Sequence, residues 1–277
     1  MTEREAAEVE IQRRGGVAVL TLNRPHRRNA MDLESRKLFA ELVEEVVHDE
    51  AVRVIVLTGR GGHFSAGGDI NSMKGGNIEA EAGRVRMRNA LKKAELLYGC
   101  DKPVIAAVEG CAYGGGFGLA LQADMIIASQ TARFCMSFVK MGLMPDNLSM
   151  YTLPRIVGVQ RAKALMMSAR EIGADDALKL GIAAEVVAEG EALARALEIA
   201  NALANASPAI NAMMKAGLNN SLSSDLRAMS EYEATAQGIA FSSQFHRRAV
   251  EDFLARRPPQ FRWPAARDAL RKSSQEA

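Results

Sequence analysis

The chain has 277 residues and a mass of 29.9 kDa, enough for one large domain or two modest ones around a substantial core. Hydrophobic residues make up 48% and charged residues 25%, a balance that excludes a disordered or fibrous chain. A net charge of +2 offers no field to draw nucleic acid or an anionic membrane, and 5% aromatics is thin for stacking on bases. Cys100, Cys111 and Cys135 form no CxxC pair and the four histidines are scattered, so neither a disulfide framework nor a metal site is expected. Residues 1–10 are polar and lack the apolar segment of a secretory signal. The mostly apolar stretch 119–128 is broken by Gln122 and Asp124 and is too short to span a bilayer. A reducing cytoplasm, without membrane insertion, is the expected location.

In chain order, residues 17–22 read as a β-branched strand after a Gly15-Gly16 turn, and 23–28 as a polar, basic loop. Leu38, Phe39, Leu42, Val43, Val46 and Val47 recur at helical spacing, with Asp32 as N-cap. Residues 52–58 form an apolar strand and 59–63 a Gly-rich turn. A charged helix over 79–97 precedes a short strand at 103–108. Gly114-Gly115-Gly116 leads into a helix over 117–122, followed by a strand at 125–128. From Tyr151 the pattern is mainly helical. It includes a helix over 175–180 closed by Gly181, a short strand at 186–187, and helices over 191–203 and after Pro208. The order implies an α/β core followed by a C-terminal helical part, with the boundary near 205–208.

Two glycine-rich loops stand out. Phe64-Ser-Ala-Gly-Gly-Asp69 follows one strand, and Gly114-Gly-Gly-Phe-Gly118 follows another and opens a helix. Glycine lets backbone approach a ligand, and a helix N-terminus presents unpaired N–H groups. Side by side, the loops can aim two N–H groups at one oxygen, an oxyanion hole suited to an enolate or a tetrahedral intermediate. The plainer alternative is two tight turns. Nucleotide readings fail: there is no GxxxxGK[ST], no GxGxxG spacing and no acidic partner about 20 residues on. A GxSxG nucleophile elbow is absent too.

The motifs taken together resemble the enoyl-CoA hydratase/isomerase (crotonase) family. They are Leu22-Asn-Arg-Pro with Asn29-Ala30, Val52 to Gly59, and Phe64-Ser-Ala-Gly-Gly-Asp-Ile70. Lys102-Pro-Val-Ile-Ala-Ala-Val-Glu-Gly110, Gly114 to Gly116, Leu153-Pro-Arg-Ile-Val-Gly158 and Phe253 to Phe261 continue the match. The resemblance implies a crotonase ββα spiral core over residues 1–205 and a helical region over 206–277 that oligomerises the chain as a homotrimer or hexamer. It implies an acyl-CoA thioester substrate, coenzyme A entering as part of that substrate, and no permanently bound cofactor. By the same resemblance, Ala66 and Gly115 supply the two N–H donors to the thioester oxygen. The backbone of Ala66, Gly67, Gly68 and Asp69 lines the acyl-CoA pocket, and Arg28 lies near the CoA phosphates. The C-terminal Arg247, Arg248, Arg256, Arg257, Arg262, Arg267, Arg271 and Lys272, set against Glu251, Asp252 and Asp268, form either a solvated face or an attraction for the CoA 3′-phosphate.

The chain departs from the family's hydratases at two positions where those enzymes carry glutamates. Here they are Gly118 and Phe138, and neither can carry a proton. Asp146, in Phe138-Val-Lys-Met-Gly-Leu-Met-Pro-Asp146, matches an aspartate of other branches, with the string most similar to epoxyphenylacetyl-CoA isomerases, where it is the acid/base. Its alternative role is a helix N-cap before Ser149. Apolar Phe138, Met141, Met144 and Leu148 would wall the pocket and raise its pKa. The reading favoured is isomerisation by proton transfer at Asp146. Its rivals are a hydratase with an atypical site, a hydrolase or dehalogenase, and a non-catalytic acyl-CoA-binding protein.

Overall fold

A computed structural model describes residues 7–73 and 79–265. The large sheet has the order β1 (Val9–Arg14), β2 (Val17–Leu22), β3 (Val54–Gly59), β4 (Val104–Val108), β6 (Met125–Ser129) and β9 (Glu185–Val187). Only β1 is antiparallel to its neighbour. A small sheet joins β5 (Cys111–Tyr113), β7 (Arg133–Cys135) and β8 (Ile172–Gly173). The chain thus alternates between sheets. β4 passes into β5 and then α3 (Gly115–Ala120), and β6 passes into β7. Those repeated steps are the turns of the ββα spiral.

The strands β3 and β4 are near-continuous apolar runs because both faces of the sheet are covered. Alternation sorts their side chains. Ile55 and Leu57 pack into one cluster with Val43 and Val46 of α1 (Leu33–His48), Leu97 of α2 (Ala80–Gly99), Phe64 and Phe117. Val54, Val56 and Ile105 pack on the other face against Ala192, Ala196 and Ile199 of α7 (Ala192–Ala204). The alanines let that helix lie close to the sheet. Asp32 caps α1 as expected, its carboxylate accepting from the Ser35 N–H at 2.9 Å.

Strand β1 was not legible because its polar Glu10, Gln12, Arg13 and Arg14 hide the alternation; it is an edge strand paired through Gly15, whose φ is +60°. β5, β7 and β8 are too short to show a period. The helix α3 begins at Gly115, earlier than its apolar residues indicate. After it come α4 (Ser149–Val157), α5 (Val159–Ser168) and α6 (Ala174–Lys179), and the chain ends in α8 (Pro208–Ser221), α9 (Leu226–Ser242) and α10 (Gln244–Leu254). Lys215 ties α8 to the core, with Nζ 3.0 Å from Asp124 Oδ2 and 2.9 Å from the Lys102 carbonyl oxygen. Among the described residues no helix is long and apolar enough to cross a membrane.

Candidate active site

The two glycine loops lie against each other. Phe64 N–H donates to Glu109 O, Ser65 N–H to Cys111 O and Tyr113 N–H to Ser65 O, so the first loop extends the small sheet beside β5. Gly67 has φ +92°, and a Cβ there would meet Tyr113 O at 2.6 Å and Gly115 N at 3.2 Å; no other residue fits. Buried Asn29 holds the loop from below, with Nδ2 donating to Arg60 O and His63 O while Ser65 Oγ donates to Asn29 O.

This packing decides which N–H groups remain available. The Ala66 N–H donates to the Arg28 carbonyl at 2.8 Å, and the Gly67 N–H to Ser65 Oγ at 3.1 Å. The Asp69 N–H donates to Met31 O at 3.0 Å. The Ala66 N–H expected from the sequence as a donor to the thioester oxygen is therefore engaged with the Arg28 carbonyl within the fold. The Gly68 N–H makes no bond among the described residues, nor does the Gly115 N–H at the first turn of α3. Both residues line one cavity of about 730 Å³, with Ala66, Phe138 and Asp146. Asp69 points elsewhere: its carboxylate lies 3.4 Å from Arg24 and accepts from the Asn71 N–H. The Arg28 side chain is exposed and does not line the cavity.

Asp146 enters the cavity from the segment before α4. Its side chain is not the cap of that helix. The N-cap is Leu148, with φ +62° and no side-chain cap bond, and the Ser149 N–H is taken by the Asp146 carbonyl. Asn147 and Leu148 both adopt left-handed backbone, a cost of roughly 1–3 kcal/mol each. Asn147 fixes the segment to α3 by donating from Nδ2 to Gly115 O at 2.9 Å. The buried Asp146 Oδ1 has no hydrogen-bond partner among the described residues. Burial pushes its pKa above the ordinary aspartate value, and the nearby Arg36 guanidinium pulls it partly back. The walls beside it are Phe138, Met141, Leu143 and Met144.

Position 118 is closed as well as neutral. A Cβ on Gly118 would lie 2.8 Å from Asn147 Cβ and 3.2 Å from Asp146 O. The segment carrying Asp146 occupies the space a side chain there would need. Phe138, on the short helix Ser137–Met141, is buried against the cavity.

A family model described as enoyl-CoA hydratase/isomerase matches residues 12–264. The chain belongs to the enoyl-CoA hydratase/isomerase family. It is 35% identical over 255 residues to a short-chain-enoyl-CoA hydratase of Clostridium acetobutylicum, covering 91% of this chain and 97% of that one. It is also 35% identical over 251 residues to a 1,2-epoxyphenylacetyl-CoA isomerase of Escherichia coli, covering 89% and 95%. A solved enoyl-CoA hydratase/isomerase from Cupriavidus metallidurans superposes with a TM-score of 0.86 at 38% identity, covering 94% of this chain and 98% of that one. The fold is the crotonase fold, and the chain is an enzyme of a family acting on CoA thioesters.

Arg36 and Arg86 also line the cavity, and sequence reasoning missed both. Arg36 lies on α1 and Arg86 on α2, in charged helical patterns that look like solvated faces; only the tertiary fold brings them to one cavity. Of the C-terminal basic residues, Arg257 is paired with Asp252 at 2.7 Å. Arg267, Asp268, Arg271 and Lys272 lie outside the described residues.

Proposed function

We propose that this family member is an enoyl-CoA isomerase, moving a proton beside the thioester with Asp146 as acid/base. The observation that carries the reading is an unpartnered carboxylate oxygen in an apolar cavity that also holds two unengaged N–H groups. Gly68 and Gly115 would bind the thioester oxygen, and the dipole of α3 would favour the negative charge that develops there. Asp146 would take a proton from the α-carbon of a 3-enoyl thioester. The electron pair moves onto the thioester oxygen, giving a dienolate. The same carboxyl group returns the proton to the γ-carbon, leaving the 2-enoyl thioester. Water is not consumed, so one carboxyl group is sufficient.

Hydration needs a group to activate water and another to protonate carbon, and Gly118 and Phe138 offer neither. The test presents 2-enoyl-CoA and 3-enoyl-CoA in parallel to the wild type. Interconversion of the double bond with slow or absent hydration is expected; fast hydration would overturn the isomerase reading in favour of an atypical hydratase. The same reading includes a trimer or hexamer built through α8 to α10. It also includes a cytoplasmic location, in keeping with three buried, unpaired cysteines.

A further inference from the structure

Beyond Asp146 a second cavity, of about 370 Å³, shares Arg36, Arg86, Met87 and Asp146 with the first. Its other walls include apolar Met31, Phe39, Val43 and Leu119. Arg36, Lys37, Arg86 and Lys93 stand against a single carboxylate, Asp146. Lys37 lies 3.8 Å from Glu41 and Lys93 pairs with Glu44. Arg36 and Arg86 make no side-chain hydrogen bond and no ion pair within 4.0 Å among the described residues; Asp146 and, more weakly, Asp32 act on Arg36 only through the field. The two guanidinium groups, from different helices, repel each other across the shared wall.

Burial disfavours the Arg36 cation, and neither guanidinium has a hydrogen-bond acceptor among the described residues, so an anion in the cavity would satisfy both. Guanidinium groups match a carboxylate bidentately. Apolar walls beside them suit methylene groups. The guest that satisfies both features is an alkyl chain ending in a negative charge, and Arg36 and Arg86 line the cavity of Gly68 and Gly115 as well as the second one.

We propose that the preferred acyl group carries a carboxylate at its far end, received by Arg36 and Arg86 in this second cavity. The proposal rests on the thioester reading above and narrows its substrate to CoA monothioesters of dicarboxylic acids. Arg36 and Arg86 become specificity-determining residues.

Saturated thioesters, which cannot turn over by this route, separate binding from chemistry. Calorimetry would compare succinyl-CoA through sebacoyl-CoA with butyryl-CoA through decanoyl-CoA. The CoA phosphates are common to both series, so only the added carboxylate differs. At one or more chain lengths the diacid thioester should bind about ten- to hundredfold tighter than its partner. That ratio should collapse in Arg86→Met, at an exposed position on α2. It should also collapse in Arg36→Met, and recover in part in Arg86→Lys. Equal binding of the two series by wild type, or equal weakening of both in Arg86→Met, overturns the proposal while leaving the thioester site intact. If neither series binds, the thioester reading falls and this proposal with it.

Discussion

At the residue scale, the acid/base role proposed for Asp146 comes with a stability cost. Its unpartnered buried oxygen makes ionisation unfavourable in the fold, which is why its pKa is raised. A base with raised pKa holds a transferable proton more firmly and suits both directions of an isomerisation. Asp146→Asn should lower kcat about 10²–10⁴-fold, with acyl-CoA affinity nearly unchanged by calorimetry. The same substitution should stabilise the protein at neutral pH, on the order of 1 kcal/mol. The sign follows from proton linkage. A carboxyl group whose folded pKa exceeds its unfolded value binds more protons when folded, so wild-type stability falls as pH rises between the two values. The Tm advantage of Asp146→Asn should therefore be present at neutral pH and vanish below the ordinary aspartate range. Full activity in Asp146→Asn would send the search to another base. The rate limb of the wild type should likewise rise at higher pH than an ordinary aspartate, near 3.8, would give.

At the element scale, the site depends on how the first turn of α3 meets the neighbouring loops. Gly115 is the first residue of that helix, a position where proline is tolerated. Gly115→Pro removes the N–H, whereas Gly115→Ala keeps it and adds the same Cβ near Asn147 Nδ2, at 3.1 Å. Comparing the two isolates the donor: the proline variant should lose about 10²–10³ in kcat beyond the alanine variant. Equal rates in two folded proteins would place the oxyanion hole elsewhere. Gly118→Glu tests the other end of α3. Installing the absent glutamate should not create a hydratase, because Asn147 Cβ and Asp146 O block its first carbon; the variant should instead lose about 1–3 kcal/mol in denaturant unfolding. These contacts also mark what was readable in the sequence. Both glycine loops, the Asp32 cap and Asp146 are local signals carried by a few adjacent residues, and they were legible. The competition for the Ala66 N–H was not, because its acceptor, the Arg28 carbonyl, lies 38 positions away along the chain. Nor was the convergence of Arg36 and Arg86, which depends on how α1 packs against α2.

At the scale of the whole molecule, the C-terminal helices leave apolar surface uncovered in a single chain. Leu218 on α8, Leu222 just after it, Leu226 opening α9, and Phe253 and Leu254 closing α10 are each at least 69% exposed. Burying large side chains of this kind contributes about 1.5–3 kcal/mol each, and apolar side chains gathered on a surface mark interaction sites. The Lys215 contacts with Asp124 and Lys102 hold α8 at a fixed place on the core, so the apolar side chains are presented by a rigid element. Analytical ultracentrifugation at micromolar concentration should give three or six times 29.9 kDa. Leu218 and Leu222 are one helical step apart and share a face, so the double substitution Leu218→Asp, Leu222→Asp should shift the protein to a smaller species that keeps its helical circular dichroism. A wild type that sediments as a monomer would overturn the assembly. A double variant that retains the wild-type mass would place the interface on another face, away from the end of α8.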